Sequence, residues 1–129
     1  MTFLDSSVVI DYLDGRDAAV EYLDAQSPPY LTSPVCVYEV LAGEVFSTGP
    51  TDVERARRDF GHVETVPFTE EVAIEAARLQ AELLSQGDPL SPRDLFVAAG
   101  ARWSGETLAV SDGDFDTEGL RRHLSVTRI

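Results

Sequence analysis

Five carboxylates in this chain stand where a fold could bring them together. Asp5 follows the apolar run Thr2-Phe3-Leu4, and Glu39 lies inside the apolar stretch Val37-Tyr38-Glu39-Val40-Leu41. Asp94 follows Ser91-Pro92-Arg93, while Asp112 and Asp114 come just after Leu108-Ala109-Val110-Ser111. Acids so far apart in sequence act jointly only if a sheet gathers its strand ends along one edge. Two carboxylates about 4 Å apart repel by roughly 4 kcal/mol at an effective dielectric of 20, so a pocket of them needs protons or a cation. All-oxygen donors suit Mg²⁺ or Mn²⁺. His62 and His123 lie outside these stretches, and there is no Cys/His cluster.

Each acid also has a plainer reading. Asp5 can cap a helix, although Ser6 and Ser7 could do so without it. Ser91-Pro92-Arg93-Asp94 fits a capping pattern in which the helix dipole favours the acid. Asp112-Gly113 is a natural turn pair. Glu39 resists such a reading, because an unpaired carboxylate buried among apolar neighbours is costly. The acids from Asp112 onward make a poor calcium loop, with Thr117 at the sixth position and His123 at the twelfth.

The elements that must position these residues are legible in the periodicity. Thr2-Phe3-Leu4, Tyr30-Leu31-Thr32, His62 to Phe68, Thr107 to Val110 and Leu124 to Thr127 read as short strands. Helices are expected after Ser6 and Ser7 towards Gly15, over Ala18 to Ala25, after the cap Ser33-Pro34, and over Thr51 to Phe60. Two more follow, from Thr69 through Gln86 and over Asp94 to Trp103. This alternation predicts an α/β sandwich, helices on both faces of a mainly parallel four- to five-stranded sheet, with ligands at the carboxyl ends of the strands.

The chain has 129 residues and is 43% apolar, which suits a single domain spanning residues 1–129. No apolar run approaches the roughly 18 residues of a membrane span and no basic leader precedes the first strand, so a cytoplasmic location is expected. The single cysteine, Cys36, sits in the apolar run Val35-Cys36-Val37 and reads as a buried, inert thiol. All ten basic residues are arginine, against 23 Asp plus Glu, giving a formal charge of -13. Such acidity opposes non-specific nucleic-acid binding. It fits a very salty cytoplasm, such as that of a halophilic archaeon, because the Debye length falls to about 3 Å at 1 M salt.

Four stretches together resemble the PIN-domain nucleases of the VapC type, the toxins of toxin–antitoxin pairs. Phe3-Leu4-Asp5-Ser6-Ser7-Val8-Val9-Ile10-Asp11 is similar to the family's first motif. Ser33 to Gly43, with glycine four residues after Glu39, is similar to the second. Asp94-Leu95-Phe96-Val97-Ala98-Ala99-Gly100-Ala101 resembles the third, and Leu108 to Phe115 the fourth. The resemblance implies a PIN-like three-layer α/β/α sandwich and hydrolysis of RNA phosphodiesters that leaves a 5′-phosphate. Asp5, Glu39, Asp94 and Asp112 would then be catalytic and hold Mg²⁺ or Mn²⁺, with Asp114 assisting Asp112 or serving a second ion.

Ser6, Ser7 and Ser111 are candidates to orient a ligand carboxylate or water, or simply to cap helices, and Arg16 and Arg93 are candidates for contacting RNA phosphate, or for ordinary surface pairing with nearby acids. The substrate class is tRNA, rRNA or mRNA. A VapB-like antitoxin and a homodimer are the implied partners; Tyr12, Val37 and Leu41 could serve the dimer or simply the core. The helical cluster Arg55, Arg57 and Arg58 reads as a solvated face. Two rivals remain. A phosphatase using Asp5 as nucleophile needs an aspartate two residues on, where Ser7 stands, and usually a lysine, which the chain lacks. A catalytically silent PIN-like module that binds RNA or protein would keep the fold without turnover.

Overall fold

The five apolar runs do become strands in the computed structural model, which describes every residue except Asp116 and, of Asp114, the backbone alone. They are β1 (Thr2–Leu4), β2 (Tyr30–Thr32), β3 (Val63–Thr65), β4 (Thr107–Val110) and β5 (Val126–Arg128). The helices are α1 (Ser6–Leu13), α2 (Asp17–Asp24), α3 (Pro34–Val45), α4 (Val53–Arg58), α5 (Glu70–Ser85), α6 (Pro92–Ser104) and α7 (Glu118–Arg121). All strand pairs are parallel, in the order β3-β2-β1-β4-β5.

Local chemistry moves several boundaries from their expected places. β3 stops before Phe68 because the Val66 N–H makes a last bond to the Thr32 carbonyl at 2.9 Å and Pro67 has no N–H to continue. β5 begins at Val126, two residues later than expected, since His123 and Leu124 both donate to the Leu120 carbonyl and close α7 instead. That short helix was not expected; Thr117 caps it by accepting from the Leu120 N–H at 3.2 Å. α6 starts at Pro92 with the Ser91 side chain as cap, as the Ser91-Pro92 pair indicates.

Strand side chains alternate between two layers. Phe3, Leu108 and Val110 face α5 and α6, where Leu79, Leu83 and Val97 are completely buried. Leu4 and Ala109 face the opposite layer, against Val8 and Val9 of α1, Leu23 of α2 and Phe60. Each of the Val, Leu and Phe side chains contributes about 1.5–3 kcal/mol on full burial. The packing of α6 on β1 is closest at Gly100, where an added Cβ would stand 3.0 Å from the Phe3 ring. α3 contacts both α1 and α6 and so leans across the sheet edge: Cys36 joins one core, while Val37, Val40 and Leu41 pack on the other.

From β1 the chain steps outward through β2 to β3, then crosses back to β4 on the other side of β1 and on to β5. The order therefore reverses between β1 and β4, and the crevice at the carboxyl ends of these two strands is where such sheets bind ligands. Asp5 follows β1 there, and Ser111 and Asp112 follow β4. Among the described residues no helix is long and apolar enough to cross a membrane.

Candidate functional site

Asp5 is the N-cap of α1 and is only 1% exposed. One carboxylate oxygen accepts from the Ser7 backbone N–H at 3.2 Å and from the Ser7 hydroxyl at 2.6 Å. The Ser7 hydroxyl oxygen in turn accepts from the Ser111 N–H at 3.0 Å. The end of β4 is thus tied to Asp5 through one serine, and the oxygen that caps α1 is not the one that faces Arg93. Its other oxygen accepts from Arg93 Nη2 at 3.0 Å and lies 3.8 Å from the Cys36 Sγ.

Glu39 is presented by α3, which starts at the Ser33-Pro34 cap and points its sixth residue at the crevice. Its carboxylate accepts from the Ser6 hydroxyl at 2.9 Å, from Arg93 Nε at 2.9 Å, and from Arg93 Nη2. The side chain is 33% exposed and its neighbour Tyr38 is 67% exposed, so this apolar stretch is not the deep interior its composition suggested. Burial pushes the Glu39 carboxyl up, but the Arg93 and Ser6 hydrogen bonds outweigh it and hold the group below its ordinary value.

Asp94 lies in the first turn of α6, where its N–H points to the Ser91 hydroxyl at 3.5 Å and its carboxylate accepts from Arg93 Nη1 at 3.0 Å. Arg93 therefore bridges all three acids, and its Nη2 also donates to the Ser6 hydroxyl at 2.9 Å. Its guanidinium carbon lies 5.6 Å from the ring centre of Phe115, which is buried. Burial works against the charged guanidinium, yet Glu39, Asp5 and Asp94 more than compensate and fix it as a cation.

Cys36 beneath them is fully buried. Burial, and then the Asp5 charge, push its thiol up to about 12, as expected of an inert group.

The other expected site residues are placed differently. Asp112 is exposed at the loop after β4, and the side chain of Asp114 lies outside the described residues. The Ser111 hydroxyl oxygen is buried and, among the described residues, without a hydrogen-bond partner. Arg16 is not brought to the crevice. It follows α1, whose N-terminus is at Asp5, so it lies at the far end of that helix, where it pairs with Asp11 at 3.4 Å.

Arg55 pairs with Glu44 at 2.8 Å and Asp59 at 2.9 Å, while Arg57 donates to the Phe60 and Val63 carbonyls. These two brace α4 against its surroundings. His62 stands edge-on to Tyr12 and Tyr30, and His123 lies 3.2 Å from Glu82, both away from the acids.

The donor chemistry of Asp5, Glu39 and Asp94, oxygen only with serine hydroxyls behind, fits a hard divalent cation. Among the described residues, however, no three Asp, Glu, His or Cys groups are arranged to hold a metal ion, and Arg93 donates to all three acids. The sequence reads Arg93 as a phosphate contact or as a surface pair with a nearby acid; a bridge across three acids from three elements was not expected. One signal was available: an arginine in the first turn of a helix opposes the dipole and needs acidic partners there. Beside Glu39, a cleft of about 270 Å³ runs between α1 and α3, lined by Ile10, Leu13, Asp14, Glu39, Val40 and Gly43.

A family model for the PIN domain matches residues 2–117. Comparison with curated proteins by sequence finds no match. Solved structures match over nearly the whole chain. A member of the VapBC family of toxin–antitoxin systems, VapBC-5 from Mycobacterium tuberculosis, is 28% identical, with a TM-score of 0.68 over 99% of this chain and 96% of that one. A DNA-bound VapBC from Salmonella typhimurium is 19% identical, with a TM-score of 0.81 over 99% and 98%. A sarcin-ricin-loop-cleaving VapC toxin of Mycobacterium tuberculosis is 18% identical, with a TM-score of 0.71 and complete coverage of both chains.

Proposed function

The chain belongs to the PIN-domain family, and we propose that it is a divalent-metal-dependent endoribonuclease, the toxin of a VapBC-type pair. The observation that carries this reading is the convergence of Asp5, Glu39 and Asp94 on one cationic group at the carboxyl edge of the sheet. Asp5, Glu39 and Asp94 would hold Mg²⁺ or Mn²⁺, with Asp112 and Asp114 closing the site from the β4 loop. When bound, the ion supplies a lower pKa for the attacking water and positive charge beside the leaving oxygen.

The protein's part is to fix the oxygens beforehand. Ser7 holds Asp5 by two bonds while itself held by the Ser111 N–H, so β1 and β4 cannot shift apart without turning the carboxylate. Ser6 does the same for Glu39. Arg93, always charged and at the mouth, would orient a scissile phosphate by paired N–H donors. With a formal charge of -13, the surface gives little general attraction for RNA. Selection would rest on shaped contacts to a structured tRNA, rRNA or mRNA element.

The cleft beside Glu39 is apolar at Ile10, Leu13 and Val40 and acidic at its end, which suits an apolar antitoxin segment carrying a basic residue. Tyr38 on α3, at 67% exposure, and its C-cap Phe46, at 83%, favour a further contact, with antitoxin or with a second copy in a homodimer. We place the protein in the cytoplasm with its RNA.

The test is RNA cleavage in molar KCl by purified protein free of any antitoxin, with Mn²⁺, Mg²⁺ or chelator, wild type beside Asp94→Asn. Discrete, metal-dependent cuts lost in the variant are expected. A folded protein that binds RNA under Mn²⁺ and never cuts it would replace this reading with a binding module.

A further inference from the structure

Arg93 makes more charged contacts than any other residue in the site. Its Nε and Nη2 go to Glu39, its Nη2 also to Asp5 and to the Ser6 hydroxyl, and its Nη1 to Asp94. Other arginines among the described residues pair with one or two acids, as Arg122 does with Glu118 and Arg55 with Glu44 and Asp59. Here three donor nitrogens are committed to three acids that come from α1's cap, α3 and α6, elements distant in sequence. A single positive charge against three carboxylates leaves the cluster net negative, so it still attracts a dication. The dication and the guanidinium seek the same oxygens. Both cannot be served at once by the same lone pairs, since Arg93 nitrogens already occupy oxygens of Asp5, Glu39 and Asp94.

We propose that Arg93 is a positioning residue of this site, an internal counter-cation that gathers Asp5, Glu39 and Asp94 and must withdraw from them when a divalent ion binds. This rests on the metal-dependent reading above and adds a mechanism to it. Loading the ion and releasing the guanidinium are one exchange. The side chain is 31% exposed, so it has room at the mouth to swing towards solvent. Ser7 keeps the Asp5 oxygen in place through the exchange, because its bonds to that acid and to the Ser111 N–H do not involve Arg93; the Ser6 hydroxyl, which donates to Glu39, gives up only the bond it accepts from Arg93. The released guanidinium stands at the mouth, one cation freed for each ion loaded, and becomes available to a phosphate only in the loaded protein.

The test is made on binding and needs no activity. Mn²⁺ affinity is measured by the electron paramagnetic resonance of free Mn²⁺ at fixed KCl, for wild type and Arg93→Gln, with circular dichroism confirming the fold. Removing one competing positive charge should tighten Mn²⁺ binding about tenfold or more. In parallel, ¹⁵N-arginine spectra of the wild type follow the Arg93 Nε–H signal during Mg²⁺ addition, with the Arg55 and Arg102 signals as internal controls. The Arg93 signal should move with saturation of the site while the controls stay. Mg²⁺ binding with an unmoved Arg93 signal, or equal or weaker Mn²⁺ binding by the variant, would overturn the proposal and leave the nuclease reading intact. Binding by neither protein would instead remove the metal reading, and this exchange with it. Should Arg93→Gln not fold, Arg93→Lys assigns the signal and the wild-type titration decides.

Discussion

Replacing Asp5 by asparagine should destabilise the protein as well as silence it, and the two effects have separate origins. The side chain is 1% exposed, and asparagine keeps its shape while trading one acceptor oxygen for an NH₂ donor. If the remaining oxygen faces Arg93 Nη2, now 3.0 Å from Asp5, the new NH₂ meets the Ser7 N–H and the α1 cap is lost. The cap is worth about 1 kcal/mol. Weakening the Arg93 contact from ion–ion to ion–dipole costs about 1 kcal/mol more, discounted because Arg93 is partly exposed and relief of repulsion among the acids offsets some of it. The opposite rotamer sets donor against donor at Arg93 and is worse.

The expected loss is therefore about 1–2 kcal/mol. With an unfolding entropy of about 2.1 cal/mol/K per residue, a chain of 129 residues should melt roughly 4–7 °C lower. Calorimetry of both proteins in chelator at one salt concentration measures this. A variant melting at or above the wild type would refute the claim that Asp5 is held by its cap and its ion pair, whatever happened to cleavage.

Three other outcomes test separate parts of the structure. Gly100→Ala gains up to about 1 kcal/mol of helix propensity but sets a methyl 3.0 Å from the buried Phe3 ring, so a net loss of about 1 kcal/mol is expected in denaturant melts; a stabilised variant would mean that β1 and α6 separate easily. Glu39 is held below its ordinary value by Arg93 and Ser6, so its contribution is complete above about pH 4.3 and disappears as pH falls through the lower folded value. Acid unfolding of Glu39→Gln should lack that part of the pH dependence, and a curve identical to wild type would remove Glu39 from the charge network. Thermal stability should rise between low salt and molar KCl as the formal charge of -13 is screened; a flat or falling Tm would dismiss adaptation to salt.

What the sequence determined by itself is the architecture and the edge at which the chemistry lies. Period-two and period-3.6 apolar patterns specify elements because burial is decided residue by residue along the chain, and the Ser33-Pro34 and Ser91-Pro92 caps marked their helix starts through purely local hydrogen bonds. Asp5, Glu39 and Asp94 could be singled out because a parallel sheet has only one carboxyl edge. Boundaries set by distant partners were less legible: β5 starts late because the Leu120 carbonyl captures two N–H groups, and no local pattern announces that.

Tertiary structure alone decided which side chains meet. Arg93 and Glu39 are 54 residues apart and Ser7 and Ser111 are 104 apart, and their contacts depend on strand order and helix tilt, which no window of sequence contains. Arg16 and Arg93 look equivalent as isolated cations. α1 carries one away from the crevice while α6 delivers the other into it, because charge acts over a few ångströms of space and the sequence records only distance along the chain.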